Sequence, residues 1–311
     1  MYLYFLNKQN LDLSIAEVLA LAKTDSFKMV DNCLLMDELI DYKRLAYTKR
    51  VYRLLFETDK EGLVEAVNSF DFNSVYKESF RLRFINNEDF DVEALANMIW
   101  QNLTKPAVNM RDAKTKIDII VCEKVFCGLI LGEQQDRFED RKAHLRPHNH
   151  PTSLHPRLAR CLVNLINSDN LIDPFCGSGG IMIEAGLIGL KITGYDTDEI
   201  MLRRAKENLD FFEIKNYVLE NHDALRIDKD FGGIVTDLPY GKNSKVNNME
   251  KTFSEFLENS YHFVDNAIVV FPDFANAKVI IEKTDWKIKN SFTYFVHKTL
   301  TKEIFVLAKH S

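Results

Sequence analysis

The chain has 311 residues, of which 46% are hydrophobic and 28% charged, with only 12 Gly and 7 Pro. Such a composition excludes a disordered or collagen-like chain and allows two or three domains with real cores. A net charge of −6 and a pI near 5.8 exclude a uniformly basic nucleic-acid-binding protein, so any contact with RNA or DNA must come from local patches.

No apolar run approaches the roughly 18–20 residues that span a bilayer. The short apolar start at residues 1–6 has no basic flank, so a cytoplasmic location is expected. Cysteines 33, 122, 127, 161 and 176 are odd in number and scattered, which argues against a disulfide framework. No CxxC pair occurs and no metal is expected. Cys122 and Cys127 either face each other across a turn or are two half-buried strand thiols.

In chain order, residues 2–6 read as a strand and 11–23 as a helix, from the spacing of Leu13, Ala16, Val18, Leu19 and Ala22. Residues 33–36 and 51–57 read as strands, and Asp59 as the cap of a helix over 60–68. Residues 79–84 alternate as a strand does. Asp91 is the expected N-cap of a helix over 92–103, and 117–122 with 125–131 form an expected hairpin around Glu123 and Lys124. Residues 133–155 are polar and rich in Arg and His, with Pro147 and Pro151, which is the composition of a linker. Beyond 156 the pattern alternates: helix 157–166, strand 171–173, helix 181–188, strand 192–195, helix 199–209, then strands 217–220 and 233–236. Helix 253–263, strand 267–270 and strands 287–295 and 304–308 close the chain. Strand–helix alternation predicts an α/β domain with a doubly wound, mostly parallel sheet; the mixed pattern before residue 133 predicts an α+β region.

The strongest local signal is the run from Leu171 to Glu184, Leu-Ile-Asp-Pro-Phe-Cys-Gly-Ser-Gly-Gly-Ile-Met-Ile-Glu. A short strand ends in an acid, turns through three glycines and enters a helix, so backbone and helix-start N–H groups are open to a ligand. The spacing is neither GxGxxG nor GxxxxGK[ST], and no Lys follows to pair with a triphosphate. The next strand ends in Asp196, where a ribose diol is gripped in such sheets, while Asp198 reads as the cap of the following helix. Asp223 follows the third strand and could accept from an adenine amine. The fourth strand ends in Asp237-Leu-Pro-Tyr240. A planar base could stack on Tyr240, while Asp237 and a nearby carbonyl accept both hydrogens of an exocyclic amine and concentrate its lone pair on an electrophile.

Residues 171–241 resemble the class I S-adenosylmethionine-dependent methyltransferases, and Asp237-Leu-Pro-Tyr240 is similar to the amino-methylating form of their fourth motif. Arg146-Pro-His-Asn-His-Pro-Thr-Ser-Leu-His-Pro-Arg157 and His297-Lys-Thr-Leu-Thr-Lys302 extend the resemblance to the archaeal tRNA guanosine-10 N2-methyltransferase family. The resemblance implies a ferredoxin-like domain over 1–70, a THUMP RNA-binding domain over 71–140, a linker over 141–155 and a Rossmann-like methyltransferase domain over 156–311. It implies S-adenosylmethionine as cofactor, with Thr152, Ser153 and Leu154 over its methionine end and Asp173, Phe175, Cys176, Gly177 and Gly179 beside it. Asp196 would hold the ribose, and Asp223 with Ala224 the adenine. Asp237, which also borders the cofactor, would act with Leu238, Pro239 and Tyr240 on the target base.

The implied partner is tRNA, gripped at its acceptor end by the THUMP region. A small activator subunit is compatible with this, and the chain is expected to be monomeric without one. Basic residues expected to meet RNA are Lys49, Arg50, Arg53, Arg81 and Arg83, and Arg141, Lys142 and Arg146 in the linker. Relatives carry Arg where this chain has Lys302, so a phosphate grip there is expected to lose its planar fork. The expected reaction is one or two methylations of the N2 amine of guanosine 10. The alternatives are another tRNA position, or a tRNA-binding protein without catalysis.

Overall fold

The computed structural model describes residues 1–86, 90–149, 153–239, 246–298 and 300–309. The chain divides into two compact units, one of residues 1–43 and 47–135, the other of residues 44–46 and 136–311.

The first unit holds β1 (Tyr2–Leu6), β2 (Lys28–Val30), β3 (Cys33–Met36), β4 (Thr48–Thr58), β5 (Phe80–Ile85), β6 (Thr115–Val121) and β7 (Val125–Glu133). Among the described residues these form one sheet in the order β2-β3-β1-β4-β7-β6-β5. The boundary expected at residue 70 falls inside this unit, and strands from both sides of it share the sheet. The connection is β4, an 11-residue strand that pairs β1 along one side and β7 along the other, with irregularities near Val51 and Leu54. Such breaks in register let a long strand bend and serve two partners. Helices α1 (Leu11–Ala22), α2 (Leu63–Ser69) and α3 (Val92–Asn102) complete the unit. Asp91 caps α3 as expected, accepting from the N–H groups of Glu93 and Ala94. Asp59 does not cap α2 directly; it accepts from Gly62 N at 2.8 Å and the helix starts one residue later. Cys127 lies opposite Ile119 in the core under α2 and α3, whereas Cys122 packs against the core around Leu3 and Phe5, so the two thiols do not face each other.

The second unit holds β8 (Asn170–Asp173), β9 (Lys191–Asp196), β10 (Tyr217–Asn221), β11 (Gly233–Asp237), β12 (Asn266–Pro272), β13 (Lys287–His297) and β14 (Leu300–Ala308). Their order is β10-β9-β8-β11-β12-β14-β13. β8 to β12 run parallel, and β14 inserts antiparallel between β12 and β13. Chain order reverses between β8 and β11, which is where ligands bind in doubly wound sheets. The helices are α4 (Pro156–Ile166), α5 (Gly180–Leu187), α6 (Glu199–Phe211), α7 (Val246–Ser260) and α8 (Ala277–Glu282). α4 starts at a proline whose missing N–H costs nothing there, with His155 accepting from Arg157 N at 3.2 Å.

The stretch expected to be a linker instead belongs to this unit. Phe138 is fully buried, with the guanidinium groups of Arg141, Arg157 and Arg160 over its ring at 4.8, 5.1 and 5.8 Å. Local polarity suggested a solvated segment; Arg137, Glu139 and Asp140 are indeed exposed, but Arg141 is matched inside the unit by Glu184.

Candidate active site

β8 delivers Asp173 to the switch point, after which the chain turns into α5. Gly177 and Gly179 have φ of +50° and +83°, a left-handed backbone that only glycine adopts without strain. Among the described residues, nothing stands within 4 Å of where a Cβ on Gly177 would be, so its backbone is open on that side. Gly179 serves another purpose than expected: a Cβ there would meet Ala205 of α6 at 3.3 Å, and the residue does not border the cleft. It lets α6 approach the turn.

β9 delivers Asp196. One carboxylate oxygen accepts from Gly177 N at 3.0 Å and the other from Asp198 N at 2.9 Å, leaving further lone pairs on each. Asp198 caps α6, accepting from Ile200 N at 2.8 Å. Asp223 accepts from Leu225 N at 3.0 Å, so it caps a short turn, and its side chain remains 43% exposed. These residues meet in one cleft of about 470 Å³. Ser153 and Leu154 border one side of it; Phe175, Cys176 and Gly177 form the turn; Asp223 and Ala224 lie along the wall, and Asp237, Leu238 and Pro239 at the end of β11. Thr152 and Tyr240 lie outside the described residues.

Of the carboxylates of this cleft, Asp173 is buried and Asp237 is half-buried. Asp173 accepts from Thr236 Oγ1 at 2.7 Å and from Phe175 N at 3.3 Å. Burial, with a smaller push from Asp237 and Asp196, moves its carboxyl up to about 7 despite those donors. Asp237 is pushed up to about 6 by burial, opposed by Lys302, whose Nζ lies 2.5 Å from Asp237 Oδ2. Among the described residues, Oδ1 of Asp237 is buried and has no hydrogen-bond partner. Buried polar atoms are almost always satisfied, so one left open at the rim of a cleft points to a ligand.

Lys302 was expected at a phosphate. It is 2% exposed and turned to Asp237 instead. In the sequence it stands between Thr301 and Glu303, just before the apolar run of β14, with nothing local to mark its partner. His222 was also missed: it borders the cleft and stacks on Tyr195 at 4.5 Å. So was Asn208, which donates from Nδ2 to the carbonyls of His148 and Ser178 at 3.0 and 2.9 Å and braces the glycine turn.

The expected linker cations need correction. Arg141 donates from Nε and Nη2 to the two oxygens of buried Glu184 at 2.8 and 3.1 Å. Arg146 is 5% exposed, its Nε donating to the Arg141 carbonyl at 2.8 Å, and its Nη1 lies 3.2 Å from where a Cβ on Gly180 would stand. Neither presents a guanidinium to solvent, so neither is an RNA-facing cation; the partner that buries Arg141 lies 43 residues away on α5. Lys142 pairs with Glu139. The nearby histidines are taken too, His148 by Glu207 and His155 by Glu139.

In the first unit, Arg81 and Arg83 do share a face of β5. Both reach the fully buried Asp118, at 3.4 and 2.9 Å, and Arg50 pairs with Glu133 at 2.6 Å. Tyr52 donates to Asp118 from its hydroxyl at 2.9 Å. Lys49 and Arg53 are exposed on β4.

A family model for the RMKL-like methyltransferase domain (UPF0020) matches residues 143–302. The chain is 30% identical over 262 residues to the tRNA (guanine(10)-N2)-dimethyltransferase of Pyrococcus abyssi, covering 80% of each chain. It is 28% identical over 289 residues to the enzyme of the same name from Methanothermobacter thermautotrophicus, covering 86% of this chain and 84% of the relative. Among solved structures, TrmN from Thermus thermophilus aligns over 99% of both chains with a TM-score of 0.52 at 18% identity, a likeness of fold.

Proposed function

The chain belongs to the RMKL-like methyltransferase family, alongside archaeal tRNA (guanine(10)-N2)-dimethyltransferases, and we propose that it methylates the exocyclic N2 amine of guanosine 10 in tRNA, twice. The observation that carries the reaction is the open Oδ1 of Asp237 at the end of β11, in the same cleft as the glycine turn and Asp196.

The cleft fits S-adenosylmethionine. Gly177 leaves its backbone approachable, the start of α5 favours a carboxylate, and Asp196 and Asp223 stand at the tips of the next two strands for a ribose and an adenine amine. The sulfonium of that cofactor supplies an electrophilic methyl group.

An exocyclic guanine amine is a weak nucleophile because its lone pair is shared with the ring. Oδ1 of Asp237 accepts one N2–H and draws the lone pair out of conjugation toward the methyl. As the new N–C bond forms, the sulfonium's S–CH3 bond would break and leave a neutral thioether, and the surplus proton would pass from the amine to Oδ1 and then to water. Pro239 fixes the backbone beside it, and Leu238 N donates to Val270 O at 3.0 Å, so the acceptor does not drift. Tyr240, outside the described residues, is the proposed stacking ring for the base, which must leave its stack at a cost of a few kcal/mol.

The first unit is the proposed RNA-gripping part, with its ferredoxin-like and THUMP regions meeting the acceptor end through the exposed Lys49 and Arg53, whereas Arg81 and Arg83 are held by the buried Asp118. A tRNA substrate sets the cytoplasm as the working compartment.

The test is transfer of labelled methyl to an unmodified tRNA transcript, followed by nuclease mapping. N2-methylated guanosine at position 10, first mono- and then dimethylated, is expected. The same product elsewhere moves the target and keeps the mechanism. Cofactor binding without transfer, unchanged by adding a cell extract as a source of an activator subunit, rejects the enzymatic reading.

A further inference from the structure

We propose that Lys302 is a positioning residue for methyl transfer: it occupies one oxygen of Asp237 and leaves the other as the single acceptor presented to the amine. This rests on the methyltransferase reading above.

β8 to β12 are parallel, so their last residues gather at one edge. β14 is antiparallel, so its first residues come to that same edge. In register, Asp237 of β11 lies beside Val270 of β12 and Pro272 lies beside Lys302 of β14. The lysine stem reaches past β12, and its ammonium meets Asp237 Oδ2 at 2.5 Å.

Placing an ammonium at 2% exposure is expensive, and a well-packed apolar pair in its place is often as stable or more so. Stability alone therefore does not account for Lys302. Its effect on Asp237 does. The described charged groups around Asp237 are Asp173 on β8, itself pushed up to about 7 and close enough to feel Asp237, and Lys302 on β14. Burial favours the protonated acid, and Lys302 is the one of these that opposes it. A protonated Asp237 would offer an O–H where the reaction needs an acceptor. The ammonium also fixes which oxygen is free: Oδ2 is engaged and Oδ1 has no described partner. Lys302 keeps its own proton throughout; the amine proton goes to Oδ1 and then to water.

The experiment compares Lys302→Met and Lys302→Arg with the unaltered full chain, in single-turnover methylation of tRNA from pH 5.5 to 9 with cofactor affinity measured alongside. Lys302→Met is expected to slow transfer about tenfold or more near neutrality, within the range of a perturbed general base. Cofactor affinity and the KM for tRNA should stay within about threefold, and the acid limb should move up by about one unit or more, as when an adjacent opposite charge is lost. The deficit therefore shrinks as pH rises. Lys302→Arg, which keeps the charge, should leave the limb in place. Carbon-13 carboxyl titration, assigned by difference against Asp237→Asn, should show the Asp237 signal titrating at higher pH in Lys302→Met. A uniform loss at all pH values with an unmoved carboxyl titration overturns the inference, as does a raised KM for tRNA with unchanged kcat. If Lys302→Met does not fold, the Lys302→Gln variant is read in the same two ways. Failure of the unaltered enzyme to methylate tRNA rejects the methyltransferase reading, and the carboxyl titration still decides whether Lys302 controls Asp237.

Discussion

The second unit contains two clusters of buried charge, and they are finished differently. In the first, Glu184 is fully buried and accepts from Arg141 through both oxygens, while Arg160 reaches it at 3.0 Å and also pairs with Asp136 at 2.9 Å. Both guanidinium groups lie over the Phe138 ring. Two cations meet two anions and each carboxylate oxygen of Glu184 has a donor; the neighbouring Arg146 is the exception, buried with Nη1 and Nη2 lacking a hydrogen-bond partner among the described residues. In the second, Asp237 has one engaged oxygen and one with no partner among the described residues, and Asp173 is pushed toward neutrality by burial. The first cluster offsets its desolvation inside the fold; the second leaves part of it uncompensated at a cleft. A closed cluster holds architecture, and an open one awaits a ligand.

The strongest way to break this comparison is to neutralise the open cluster. Asp237→Asn should slow methyl transfer about 10³-fold, the scale of losing a positioned acceptor and base, with cofactor affinity nearly unchanged. Single-turnover rates beside calorimetric titration of the cofactor check both halves. Activity within tenfold of the unaltered enzyme would place the chemistry elsewhere. The closed cluster should respond in the opposite currency. Glu184→Gln leaves two buried cations short of a partner and should cost about 3–5 kcal/mol of stability. Denaturant unfolding measures this, and a loss below about 1 kcal/mol would mean that the cluster is not what holds residues 136–155 in the unit.

That contrast also marks what the sequence could tell. Asp173, Asp196 and Asp237 were legible because each ends a short apolar run, and a parallel doubly wound sheet brings all such ends to one edge. Strand positions in the second unit followed from alternation for the same reason. The pairings were not legible. Lys302 meets Asp237 across 65 positions and Arg141 meets Glu184 across 43, and no local periodicity encodes either. A run rich in Arg and His therefore read as a solvated linker, although its partners wait inside α5 and α4. The role of Gly179 beside α6 was not legible because a glycine that clears a ligand and one that clears a helix look alike in sequence. In the first unit, the length of β4 was underestimated because its bends interrupt the period-2 pattern on which a strand assignment rests.

Within the open cluster, Asp173 sharpens the comparison through pH. Its carboxyl lies near 7 in the folded chain against an ordinary value of 3.8. The native state therefore holds this proton more tightly than the unfolded chain does. Its contribution is full below about pH 4 and is lost as pH rises through about 7. Asp173→Asn resembles the protonated acid and should gain on the unaltered chain by on the order of 2 kcal/mol between pH 4 and 8. Melting curves across that range check the sign, and a gap that closes as pH rises would contradict it. Asp196→Ala should act on binding rather than stability, weakening cofactor affinity about ten- to a hundredfold through loss of a charge-assisted ribose contact and of the bond that shapes the turn at Gly177. Titration calorimetry with S-adenosylmethionine decides; unchanged affinity removes Asp196 from the ribose role.

The smallest effects should separate exposed cations from buried ones. Lys49 and Arg53 are exposed on β4, so each can neutralise a phosphate, Lys49 moving from over the Phe5 ring at 5.5 Å. Replacing either by Ala should weaken tRNA binding only a few-fold at moderate salt. Each should also lower the slope of log affinity against log salt by about 0.7–0.9, the loss of one phosphate contact. Arg141→Ala should leave that slope alone, because its guanidinium is spent on Glu184, and should appear instead as lost stability. Filter-binding isotherms at several salt concentrations, read beside unfolding curves for the same variants, place each cation in one class or the other. If Arg141→Ala changed the salt slope while Arg53→Ala did not, burial would be the wrong criterion for telling an architectural arginine from one that meets RNA.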